Sequence, residues 1–102
     1  MVYVKLKVWT KEEILAMLER SPAAVIRGVL AIYREQTPDE QYLEVAKHLN
    51  ARGFNKVDAQ FGTEIAQKIL QGDSLTQKQV NACRKMLRKY SGQLVRIANG
   101  QA

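Results

Sequence analysis

A chain of 102 residues with 46% hydrophobic and 25% charged residues is sized and composed for one packed domain, not two and not a disordered tail. It has no apolar run near the roughly 18 residues of a membrane span, no secretory signal pattern, and a single Cys83 and a single His48, so a spanning protein, an internal disulfide and a zinc set are all excluded. The expectation is a reduced, cytoplasmic protein without metal or cofactor, whose net charge of +6 suits nucleic acid, an anionic membrane or an acidic protein partner.

From the start of the chain, Val4, Leu6 and Val8 alternate with Tyr3, Lys5, Lys7 and Trp9, the period of a half-buried strand or extended arm. A lone strand needs a partner for its edge, which a twin chain or another protein would supply. Thr10 with Glu13 forms a capping box ahead of Ile14, Leu15 and Leu18. Ser21-Pro22 marks the next helix, with Val25, Ile26, Val29, Leu30 and Tyr33 at helical spacing. Thr37-Pro38 with Glu40 repeats the device before Tyr42, Val45, Ala46 and Leu49, and Gly53 is placed to end that third helix in a left-handed turn.

Phe54 to Lys56 reads as a short link. A fourth helix then carries Val57, Phe61, Ile65, Ala66 and Ile69 and ends near Gly72, with Gly62 inside it as either a packing point or a break. Thr76 with Gln79 caps a last, continuous helix whose seam is Val80, Cys83, Leu87, Tyr90, Leu94 and Ile97. Gly92 interrupts that seam only in propensity. The predicted architecture is mostly α: a single domain over residues 1–102, with an arm or short β-strand at 1–9, a compact bundle of about five helices at 10–98 and a frayed tail at 99–102.

Residues 1–76 contain ten basic and ten acidic residues, so their sum is zero. Lys78, Arg84, Lys85, Arg88, Lys89 and Arg96 follow with no acid among them, and the whole +6 belongs to the last quarter of the chain. Arg84, Lys85, Arg88 and Lys89 fall opposite the apolar seam as a cationic ridge. Such a ridge contacts phosphates without reading bases, although most charged helix faces serve only solubility. Tyr3 and Trp9 suit a core edge or an interface better than base stacking.

No constellation for catalysis is visible. His48 lies beside Leu49 with no orienting partner, and Cys83 sits on an apolar seam as a small hydrophobe. Glu12-Glu13 and Asp39-Glu40 occupy first helical turns, where carboxylates favour the helix dipole. A phosphate loop, a Cys-x-x-Cys and a His-Glu-x-x-His are all missing, so the reading is not an enzyme.

Three segments in order carry a family pattern. Gly53-Phe54-Asn55-Lys56-Val57-Asp58-Ala59-Gln60-Phe61-Gly62 fits GF-x-x-x-D-x-x-FG, Leu75-Thr76-Gln77-Lys78-Gln79 fits LT-x-KQ, and Lys89-Tyr90-Ser91-Gly92-Gln93-Leu94 fits KY-x-x-QL. Over Gly53 to Leu94 the chain resembles a helical module near the N-termini of phage and bacterial superfamily 2 (SNF2-like) helicases and in small phage-encoded proteins. The resemblance implies a DNA-processing context and carries over no catalytic residue.

Two functions follow as expectations. One is an accessory protein that binds DNA phosphates through Lys78, Arg84, Lys85, Arg88, Lys89 and Arg96. The alternative is a phage-type inhibitor or adaptor of a host nucleic-acid-processing or defence complex, gripping a protein partner through Tyr3, Lys5, Lys7 and Trp9. A homodimer paired through the strand is compatible with both.

Overall fold

The computed structural model of the protein describes residues 8–36 and 53–100. Five α-helices are present among them: α1 (Lys11–Arg20), α2 (Pro22–Arg34), α3 (Ala59–Leu70), α4 (Gln77–Leu87) and α5 (Ser91–Ala98), with a 3₁₀ turn at Arg88–Tyr90 joining the last two. The expected strand and the expected third helix lie outside the described residues, apart from Val8 and Trp9, which are non-helical.

The local start signals act as the sequence predicts. Thr10 Oγ1 accepts from Glu13 N–H, and Glu13 Oε1 accepts from Thr10 N–H, each at 3.2 Å, closing the box before α1. Ser21 Oγ accepts from Ala24 N–H at 3.1 Å, with Pro22 at the first position of α2. Gly72, at φ +86°, ends α3 in a Schellman motif, its N–H donating to Ile69 O while Asp73 N–H donates to Lys68 O.

Helix α2 is central and touches the other four helices. Val25, Val29 and Ile32 recur along its inner face and are fully buried. Leu18 of α1, Ile65 and Ala66 of α3, Val80, Cys83 and Leu87 of α4, and Leu94 of α5 close the core around it. α1 and α2 therefore pack directly on the C-terminal helices as part of one core.

Two sequence expectations need correction. The first concerns α3. Val57 is 85% exposed and precedes the helix and Phe61 is also exposed, whereas Ile65 and Ala66 are buried as expected together with the small Ala59, Gly62 and Thr63. The large apolar group under α3 is Phe54, which lies in the link before the helix and is 2% exposed. Gly62 is the packing point: a Cβ there would lie 2.6 Å from the Phe54 ring. The small face of α3 exists to admit that ring, which a periodicity count cannot see.

The second correction is the last helix. The α-helical pattern stops at Leu87, tightens into the Arg88–Tyr90 turn, and resumes at Ser91. A 3₁₀ turn advances side chains out of α phase, and the Ser91-Gly92 pair that follows is the type of sequence at which helices bend. The bend lets Tyr90 face the 54–58 loop while Leu94 faces the core beside α1 and α2. Asn99, expected to open the frayed tail, is instead fixed by its side chain: its Oδ1 accepts from Trp9 N–H at 2.7 Å and its Nδ2 donates to Trp9 O at 3.0 Å.

Candidate nucleic-acid interface

Helix α4 is started by the Thr76–Gln79 capping box and buries Val80, Cys83, Met86 and Leu87. Its polar side carries the predicted ridge, and the fold divides that ridge in two. Arg84 and Arg88 lie along the seam with α1. Arg84 Nε donates to Leu18 O at 2.7 Å, and its Nη1 donates to Asn81 Oδ1 at 2.8 Å. Leu18 O belongs to the last turn of α1, where carbonyls lack helical donors and cations are favoured by the dipole. Arg88 forms an ion pair with Glu19, one residue further along α1.

Lys89 forms an ion pair with Asp58 at 2.7 Å; the Asp58 side chain is only 12% exposed. The acids missing from the last quarter of the sequence are thus supplied by the fold, from positions 19 and 58. Lys78 and Lys85 remain on the outward line of α4, seven residues and two turns apart, about 10 Å along the axis. Arg96 is exposed in the last turn of α5. These three cations have no acidic partner among the described residues.

The first and third segments of the pattern, at 53–62 and 89–94, meet in space and form a clamp on the 53–58 loop, while Thr76 and Gln79 of the middle segment bond each other in the cap of α4. Gly53 N–H donates to Gln93 Oε1 at 3.0 Å, and Gln93 Nε2 donates to Gly53 O at 3.2 Å. Gly53 has φ +77°, and a Cβ there would lie 2.5 Å from Gln36 Cγ, so only glycine fits. Phe54 N–H donates to Gln36 Oε1, whose Nε2 reaches Thr63 Oγ1, both at 3.3 Å. The Phe54 and Tyr90 rings pack edge to face, 5.8 Å apart at 90°.

The Tyr90 hydroxyl accepts from Asn55 N–H at 2.9 Å and donates to Asp58 Oδ2 at 2.7 Å. Burial pushes this phenol well above its ordinary range; the Asn55 donor opposes the shift, and the Asp58 carboxylate adds to it through its hydrogen bond and charge. Tyr90 is therefore a neutral bridge from the 3₁₀ turn to the loop and to Asp58 at the start of α3. Every polar member of the cluster is satisfied internally, which is the signature of an architectural element, not of an open site.

Other candidates resolve plainly. Cys83 is fully buried, and desolvation raises its thiol to about 11, which makes it inert toward thiolate chemistry. Glu12 and Glu13 sit in the first turn of α1, and Glu13 is the capping residue. His48, Asp39, Glu40, Tyr3, Lys5 and Lys7 lie outside the described residues. Among the described residues, no three His, Cys, Asp or Glu side chains cluster as metal ligands, and no helix is long and apolar enough to cross a membrane.

Trp9 is half-buried and lines an open cavity of about 380 Å³ between α1, α2 and α5. Sequence reasoning missed this groove because its walls come from four separate segments. It also missed the roles of Arg84 and Arg88, whose partners are 66 and 69 residues away. No protein-family model, curated protein or solved structure matches the chain.

Proposed function

We propose that this protein is a non-catalytic, cytoplasmic accessory module that contacts nucleic-acid phosphates, most directly those of DNA, through the outward cations of α4 and α5. The observation that carries this reading is the line of Lys78 and Lys85, exposed and without an acidic partner among the described residues, on a helix whose other side is firmly seated. Arg96 extends the positive surface onto α5, and Lys89 joins it by exchanging Asp58 for phosphate. The likeness of Gly53 to Leu94 to a helicase-associated module supports a DNA-processing setting. Arg84 and Arg88 contribute field more than contact, since their guanidinium groups already hold α1.

The test is fluorescence anisotropy with labelled single- and double-stranded DNA at low and near-physiological salt. Contact with two to four phosphates predicts a log–log salt slope of about −2 to −4 on duplex. Lys78→Glu with Lys85→Glu should abolish binding while leaving far-UV circular dichroism unchanged. Wild-type binding by that double variant, or no binding at low salt, would refute the reading.

A second reading, a phage-type protein-interaction factor that inhibits or adapts a nucleic-acid-processing complex, is favoured by a different observation. Trp9, the only tryptophan of the chain, lines an apolar groove instead of filling the core.

A further inference from the structure

We infer that the groove between α1, α2 and α5 docks an amphipathic helix of a protein partner, apolar on the docking face and acidic along its flanks. This deepens the second reading above and is independent of phosphate contact by α4. The floor is a lane of small residues on α2, Ala24, Gly28 and Ala31, running two turns or about 10 Å. Met17, Ile97 and Trp9 are part of the lining. A lane of that length matches the i, i+4, i+7 anchors by which a helix seats in a groove.

Charge selects the partner. Arg27 is exposed and lines the groove, and Arg20 is exposed at its edge, where Nη2 rests 3.5 Å from Met17 Sδ. Neither guanidinium has a carboxylate partner among the described residues. Two arginines flanking an apolar lane favour bidentate pairing with carboxylates on the incoming helix and disfavour a basic one.

The Trp9 indole provides a single-site reporter in the full chain. The probe is a synthetic helix of about 15 residues with leucines at i, i+4 and i+7, flanking glutamates and an alanine background; its control replaces the glutamates with lysines. The glutamate peptide should shift Trp9 emission to the blue and saturate below about 100 μM, and the lysine peptide should give no saturation there. Arg20→Ala with Arg27→Ala should weaken the response about tenfold, and Ala98→Glu, at an exposed position on the groove wall, should abolish it without loss of helicity.

Equal responses to both peptides would overturn the charge-selected partner. Silence of Trp9 toward both would overturn the docking site and assign the groove to the chain itself. A dimer in sedimentation velocity that dissociates in Ala98→Glu would assign it to a second copy, and so would also overturn the inference. The DNA titration reads Lys78 and Lys85, so the two proposals fail separately.

Discussion

Replacing Gly62 with alanine sets a helix gain against a packing loss, and the structure decides between them. Alanine in place of glycine inside a helix is worth about 1 kcal/mol by propensity. The new methyl would sit 2.6 Å from Cε2 and Cζ of Phe54 and 2.7 Å from its Cδ2, against ordinary carbon contacts of roughly 3.5–4.0 Å. The ring would have to retreat by about 1 Å. Its backbone is held by Gln36 and its neighbour Gly53 by Gln93, while Tyr90 backs the ring at 5.8 Å. Overpacking of a rigid core costs about 1–3 kcal/mol, and with the ring held on three sides the upper half of that range applies. The net loss is then about 1–2 kcal/mol, a fall of roughly 5–15 °C in Tm for a domain of this size. Gly92→Ala is the control, because it places the same methyl near the start of α5 with no heavy atom within 4 Å, and should stabilise by up to about 1 kcal/mol. Urea unfolding followed by far-UV circular dichroism measures both. A Gly62→Ala protein as stable as the wild type would refute the Phe54 plug.

Four further outcomes follow from the same contacts. Tyr90→Phe strips Asn55 N–H and Asp58 of a partner, and should cost about 1–3 kcal/mol in urea titrations while leaving helicity intact. Arg84→Ala should cost about 1–2 kcal/mol by freeing Leu18 O, whereas Lys78→Ala should change stability by less than about 0.5 kcal/mol; equal losses would show that Arg84 is not a tether. Asn99→Ala removes both hydrogen bonds to the Trp9 backbone, and should red-shift Trp9 emission at temperatures where the helices remain folded. Stability should also fall at alkaline pH. The buried Cys83 thiol is raised from its ordinary 9.0 to about 11, so the native state holds that proton more tightly than the unfolded chain does. Its contribution is complete below about pH 9 and is lost between about pH 9 and 11, with Tyr90 acting in the same direction at higher pH. Cys83→Ala should flatten the first part of that decline in urea midpoints.

The parts of this fold that were legible are those decided within a few residues. The boxes at Thr10 and Thr76, the Ser21-Pro22 start and the Gly72 stop each depend on partners three to five positions away. Periodicity also located the buried stripe of α2, where large side chains mark the inner face. On α3 it found Ile65 and Ala66 but turned Val57 and Phe61 inward, because the rest of the inner face is the small Ala59, Gly62 and Thr63 and the bulk beside Gly62 comes from Phe54, outside the helix. It placed Tyr90 on the buried side correctly, but not the partners of its hydroxyl at 55 and 58, which are tertiary. The candidate interface was half legible for the same reason. The six cations could be counted from the sequence, but which of them are already engaged is set by Leu18, Glu19 and Asp58, on segments remote in the chain. The segments at 53–62 and 89–94 were visible in order, yet they act as one clamp, a relation that only the folded geometry displays.

The two hydrogen bonds between Trp9 and Asn99 bring the beginning and the end of the helical body within contact of each other. A helical body closed in this way is suited to circular permutation, with a short linker joining the Trp9 side to the Asn99 side. New ends are best opened at the exposed Asp73-Ser74 turn between α3 and α4, where no core side chain is interrupted. That rearrangement attaches a tag or surface at a turn that does not line the groove, and leaves both the groove and the lysine line of α4 on an uncut helical body.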